Sequence, residues 1–83
     1  MDRHELRSAL LDTGLSPESF QLAGVHEHVP VPPDFWFLRR AAGGRWEIGL
    51  YERGEYDVRE VHATEDAACR ALFHALTARP APP

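Results

Sequence analysis

Hydrophobic and polar positions change their period several times along this chain, and each change marks an element. Leu6, Ala9 and Leu10 recur at helical spacing, with Leu11 on the flank. Asp2 stands where an N-cap belongs, and Glu5 follows three positions later, as in a capping box. Gly14 fits the position just past a helix end, so the pattern predicts a first helix from Arg3 to Thr13. Ser16-Pro17-Glu18 supplies a cap with proline at the first helical position, enough for a single turn.

Extended segments follow. Phe20-Gln21-Leu22 suits a short strand. Between Ala23 and Asp34 no period survives, and Pro30, Pro32 and Pro33 forbid a central strand because proline donates no ladder hydrogen bond. Phe35 to Arg40 is predicted as a strand ending at the turn-forming Gly43-Gly44. From Arg45 to Tyr51 the alternation is clean: Trp46, Ile48 and Leu50 share one face, and Arg45, Glu47, Gly49 and Tyr51 the other. After the turn Glu52-Arg53-Gly54, Tyr56 and Val58 share a face, whereas Val61 and Ala63 have the opposite parity. A bulge near Arg59-Glu60 reconciles them, since one extra residue resets the alternation.

Thr64 is an N-cap, and Glu65 and Asp66 put negative charge in the first turn, where the helix dipole favours it. Ala68, Leu72, Ala75 and Leu76 form the expected buried stripe, with Cys69 and Phe73 beside it, while Arg70 and Arg79 suit the exposed face and C-terminal end. Pro80, Pro82 and Pro83 stop this helix. The elements predict one α+β domain over residues 1–79 and a disordered Pro-rich tail over 80–83. Its parts are an N-terminal helix, a three- to four-stranded antiparallel meander and a C-terminal helix packed on one sheet face. Leu6, Leu10, Trp46, Ile48, Leu50, Leu72 and Leu76 are the expected core.

Composition narrows the function classes. With 43% apolar and 27% charged residues in an 83-residue chain, a folded soluble domain is expected, but one too small for a deep active-site cavity. The single cysteine excludes an internal disulfide. No apolar run approaches the roughly 18–20 residues of a membrane-spanning helix. Met1-Asp2-Arg3-His4-Glu5 is polar with no apolar signal core behind it, so a cytoplasmic protein without membrane partners is expected. A net charge of -4 argues against nucleic-acid binding, which draws on many cation–phosphate contacts. All nine basic residues are Arg, which with abundant Ala, Gly and Pro reflects GC-rich coding.

Candidate chemistry is sparse. His26-Glu27-His28 offers two imidazoles to a transition metal, with His4, His62, His74 or Asp34 as further ligands. Their spacing matches no paired-ligand motif, and such a tripeptide in a surface loop is expected to be solvated. Cys69 lies beside an apolar helix stripe, where a free cysteine acts as a small hydrophobe, and His74 five positions on shares its face poorly. Glu47, Glu52, Glu55, Asp57 and Glu60 lie in or beside the hairpins as surface charge, with Glu47 and Arg59 as potential cross-strand partners. No enzyme activity, metal site or cofactor is therefore expected. Arg39-Arg40 with Trp36, Phe37, Trp46 and Tyr51 is the remaining constellation. If Trp46 packs under the C-terminal helix, Tyr51 shares the other face with an Arg of the neighbouring strand. Aromatics with Arg are the usual hot spots of protein interfaces, and the same grouping stacks single-stranded bases; net acidity favours protein.

Leu38-Arg39-Arg40, Gly43-Gly44-Arg45-Trp46-Glu47, Tyr51-Glu52-Arg53-Gly54 and Thr64-Glu65-Asp66-Ala67-Ala68-Cys69 together resemble a group of small actinobacterial proteins. These are similar to immunity-type partners encoded beside secreted polymorphic toxins, including TNT-type NAD-glycohydrolase toxins. Their Asp-Arg-x-Glu-Leu helix start is matched by Asp2-Arg3-His4-Glu5-Leu6, their strand and turn by the Trp46–Gly54 segment, and their T-E-D-E-A-C helix start by Thr64 to Cys69. The chain departs from the pattern in Ile48-Gly49-Leu50-Tyr51 and in its long Pro-rich Val25–Asp34 loop. The resemblance implies a non-catalytic protein-binding module, an immunity-type inhibitor of a toxin domain. Tyr51, Glu52, Arg53, Arg39, His26, His28 and Asp34 are its expected contact residues. The alternatives are a small metal-binding protein using His26 and His28, and a homodimeric structural protein; monomer and homodimer both remain open.

Overall fold

Both helices begin where a side chain satisfies their first free amides. In the computed structural model, which describes residues 1–82, α1 spans Arg3–Asp12 and α2 Glu65–Thr77. The Asp2 carboxylate accepts from the Glu5 N–H at 2.9 Å, and Glu5 accepts from the Asp2 N–H at 3.0 Å, completing the predicted capping box. Thr64 Oγ1 accepts from the Ala67 N–H at 3.1 Å. α2 ends at Ala78, a non-glycine residue in the left-handed region (φ 57°), whose N–H donates to the His74 carbonyl.

Four strands lie between the helices: β1 (Phe20–Leu22), β2 (Asp34–Arg40), β3 (Trp46–Glu52) and β4 (Glu55–His62), in the spatial order β1-β2-β3-β4. β2, β3 and β4 form the expected antiparallel run. The antiparallel meander does not extend to β1, which pairs with β2 in parallel, Phe20 with Trp36 and Leu22 with Leu38. The sheet is therefore mixed. The Ala23–Pro33 connection is long enough to carry the chain back to its starting end before β2 begins, so two neighbouring strands run the same way.

Between β3 and β4, Ile48 pairs with Glu60 but Gly49 with Val58, leaving Arg59 as the extra residue of a bulge at the expected place. The core unites Leu6 and Leu10 of α1, Phe20 and Leu22 of β1, Leu38 of β2, Trp46 and Ile48 of β3, and Ala68, Cys69, Leu72 and Phe73 of α2. Two expected core residues fall outside it: Leu50 is only partly buried, and Leu76 packs at the core's margin. α2 turns Cys69 and Phe73 inward and leaves Ala75 exposed, so its buried stripe lies about one position off the predicted one.

Arg3 ties the elements together. Its Nε and its backbone N–H both donate to Glu65 Oε2, at 2.8 and 2.9 Å, and Nη1 donates to the Ala23 carbonyl. Its guanidinium lies 4.9 Å from the centre of a Trp46 ring. Partial burial pushes the Glu65 carboxyl up, but the two Arg3 bonds outweigh it and hold the group below the usual range. At the C-terminal end Ala81 packs against the core, and Arg70 Nη1 donates to the Pro82 carbonyl. Pro83, the last residue of the expected tail, lies outside the described residues.

Candidate functional site

Strand alternation divides the sheet into two differently built faces. Trp36 and Leu38 of β2 and Trp46 and Ile48 of β3 share the face that joins the helical core. On the opposite face the register aligns Phe35 with Tyr51, Phe37 with Gly49, and Arg39 with Glu47. It continues into β4, where Tyr56, Val58 and Val61 stand opposite Tyr51, Gly49 and Glu47.

The side chains of this second face form one aromatic cluster. The Phe35 and Tyr51 rings stack with centres 4.7 Å apart. Tyr56 meets Phe37 edge to face at 5.0 Å and Tyr51 at 4.7 Å, both favourable geometries for ring quadrupoles. Arg39 caps the cluster, its guanidinium carbon 4.9 Å from the Phe37 centre and 4.5 Å from that of Tyr56. Its Nε donates to Glu47 Oε1 at 2.5 Å, which fixes the planar group over the rings.

Gly49 makes the arrangement possible. A Cβ there would collide with the Asp57 carbonyl oxygen across the ladder and stand 2.9 Å from Phe37 Cζ. The missing side chain lets Phe37 lie across β3. Phe37 is 1% exposed and Phe35, stacked on Tyr51, 2%, while Tyr56, Val58 and Val61 retain 42%, 40% and 51% of their surface. The outcome is a firm aromatic floor edged by an exposed apolar stripe on β4.

The expected contact residues divide into three groups. Arg39 and Tyr51 sit together on the aromatic face, as strand parity required. Glu52 and Arg53 lie at the β3–β4 turn, where Arg53 and Gly54 both take positive φ (53° and 79°), the signature of a two-residue hairpin. Asp34 opens β2 opposite Glu52, which in turn faces Glu55, so three exposed carboxylates form one cross-strand row.

His26 and His28 are not brought to these residues. They lie beside the turn at Pro17, next to β1 and at the far edge of the sheet from β4. The expectation of a solvated tripeptide is corrected for His26, which is buried and stacks on Phe20 with centres 4.3 Å apart. His26 Nε2 donates to the Pro17 carbonyl at 2.7 Å and Nδ1 accepts from Arg7 Nε at 3.2 Å, so both ring nitrogens are engaged. His28 Nε2 reaches the same carbonyl at 2.6 Å. The pair pins the Pro-rich loop to the body of the protein. Among the described residues no group of three or more His, Cys, Asp or Glu side chains converges.

Two further sequence expectations change. Glu47 pairs with Arg39 and not with Arg59, which instead bonds Asp57 within β4. Cys69 is fully buried, and burial pushes its thiol up to about 12, so it carries no thiolate near neutrality. Glu47 shares the face of Tyr51 as the alternation predicts, and Phe35 and Tyr56 join it through the register; the sequence signal for the seat of Phe37 is Gly49, a glycine inside a strand beside a phenylalanine-rich one. No described helix is long and apolar enough to cross a membrane. Comparison with protein-family models, curated proteins and solved structures finds no match to the chain.

Proposed function

We propose that this protein is a non-catalytic protein-binding module that presents the aromatic sheet face to its partner, and that it acts as an immunity-type inhibitor of a toxin domain. The observation that carries the binding role is the Phe35–Phe37–Tyr51–Tyr56 cluster under Arg39, built on the face opposite the helical core. In this reading both helices pack on the other face and leave this one for a partner. Rigid aromatics and an oriented Arg lose little conformational freedom on association, which is why such residues dominate interface energetics.

The row Asp34–Glu52–Glu55 at one end of the sheet adds negative potential. With the net charge of -4 it favours a basic partner surface, because complementary charge speeds encounter. The inhibitor role rests on the resemblance of the hairpin and cap motifs, which makes the adjacent gene the natural source of the partner. The test is co-expression with the toxin-like protein encoded beside this one. Relief of growth arrest by the natural chain, lost in Arg39→Ala and Tyr51→Ala variants that keep their melting temperature, supports the reading. An adjacent gene without a toxin-like product, or variants that protect fully, overturns it.

A further inference from the structure

The two edges of the sheet are treated differently. β1 is only three residues long, and its own loop folds back on it: the Leu22 N–H donates to the His26 carbonyl at 2.8 Å. β4 is eight residues long, and seven of them, Glu55 to Val61, are exposed. An uncovered strand of this length offers a row of unpaired N–H and C=O groups to another strand.

Which groups point outward follows from the hairpin. A two-residue turn closes with a hydrogen-bonded pair, here Glu52 and Glu55, so Glu55 points its backbone groups toward β3. Alternation then directs Asp57 inward and Tyr56 and Val58 outward. The extra residue Arg59 resets the phase, so Glu60 and His62 point inward and Val61 outward, and Ala63, the first residue past the strand, takes the next outward place if the pairing extends to it. The outward positions 56, 58, 61 and 63 are symmetric about the point between Arg59 and Glu60.

We infer that β4 pairs antiparallel with β4 of a second copy of this chain, about a two-fold axis passing between Arg59 and Glu60. This inference is independent of the proposed partner-binding role. It is the register that matches Val58 to Val61 within the strand and Tyr56 to Ala63, the residue just past its end. Val58 then faces Val61 of the second copy, and Tyr56 faces its Ala63, extending the apolar stripe of the aromatic face across the junction. On the other positions Arg59 meets Glu60, an opposite-charge pair made twice about the axis, and Asp57 meets His62, a carboxylate facing an imidazole, so no like-charge pair opposes association. A symmetric contact satisfies each of these pairs twice. The product is a continuous sheet of two four-stranded halves with the aromatic face left free on both.

Charge reversal at the axis tests the pairing. Arg59 and Glu60 are exposed, and their ion pairs with Asp57 and His62 are on the surface, so reversals leave the monomer folded. Sedimentation at roughly 100 µM, suited to a small edge interface, is expected to show a dimer of the 9.4 kDa chain. Arg59→Glu and Glu60→Arg should each weaken the dimer about tenfold, and the double variant should restore it. Hydrogen exchange should show concentration-dependent protection of the Tyr56, Val58 and Val61 amides. A monomer at this concentration, a dimer insensitive to the reversals, a double variant without recovery, or unprotected amides in the dimer would each overturn the inference.

Discussion

Gly49→Ala is the substitution whose sign is least expected from composition. A glycine inside a strand ordinarily weakens it, and replacing it by alanine stabilises a protein by about 0.4–1 kcal/mol through the unfolded chain, provided the backbone tolerates the change. Here the φ of Gly49 is not in the left-handed region, so conformation alone gives no reason against alanine. The obstacle is space: the added methyl meets the Asp57 carbonyl oxygen, which belongs to backbone and cannot rotate away, and crowds Phe37 Cζ at 2.9 Å. Relief requires β4 to move off β3 beside the bulge and Phe37 to leave its seat under Tyr56. Overpacking of this kind costs about 1–3 kcal/mol, and partial loss of the Phe37–Tyr56 contact adds about 0.5–1.5 kcal/mol. A destabilisation of about 2–4 kcal/mol is expected, a large part of the stability of a domain this size. Urea unfolding followed by tryptophan fluorescence measures it, with near-ultraviolet circular dichroism reporting the aromatic cluster. Gly43→Ala is the control, since its Cβ meets open space and only its φ of 71° opposes alanine, at about 1–2 kcal/mol. A Gly49→Ala protein as stable as the natural chain, with an unchanged aromatic spectrum, would refute this account of the face.

Four further outcomes follow from the same structure. Leu72→Ala, at a position with 0% exposure between both helices and the sheet, should cost roughly 3–5 kcal/mol in chemical denaturation. Ala78→Gly should raise stability by about 0.5–1 kcal/mol, because the left-handed cap at φ 57° strains alanine and not glycine; thermal melting reads the gain. Glu52→Arg breaks the row of like charges with Asp34 and Glu55 and should stabilise the protein by about 0.5 kcal/mol while slowing association with a basic partner, as stopped-flow at low salt would show. Glu65 has its folded-state carboxyl held below the unfolded value, so its contribution is complete above the ordinary carboxylate range and is lost as pH falls through it. Glu65→Gln should therefore be less stable than the natural chain at pH 7, and the gap should close between about pH 5 and pH 3 in pH-dependent melting.

The legible parts of this fold were those encoded locally. Asp2 with Glu5 and Thr64 with Ala67 are caps recognisable from residue type and spacing, and both form. The parity break between Val58 and Val61 marks the Arg59 bulge, because one extra residue resets a period of two. The direction of β1 was not legible. Alternation says which face a residue takes and nothing about which way its neighbour runs, so Phe20–Leu22 in parallel with β2 had no local signature. His26 was misjudged for a related reason: a polar tripeptide in a Pro-rich loop resembles surface, and only the turn at Pro17 and the ring of Phe20 create its buried seat. The aromatic face was half legible. Parity places Tyr51 with an Arg of the neighbouring strand and Tyr56 on the same open face, but the burial of Phe37 depends on the room that Gly49 leaves it across the ladder, which alternation does not reveal.

The most direct test of the partner-binding role is calorimetry of the purified chain with the product of the adjacent gene, which the proposed function requires to be a toxin domain. Arg39→Ala, Tyr51→Ala and Tyr56→Ala are compared there with His74→Ala on the exposed surface of α2. The aromatic-face reading predicts that each of the three weakens binding by about 2 kcal/mol or more, roughly thirtyfold, while His74→Ala leaves it unchanged. Unaltered affinity in the three face variants, or a loss confined to His74→Ala, would contradict it.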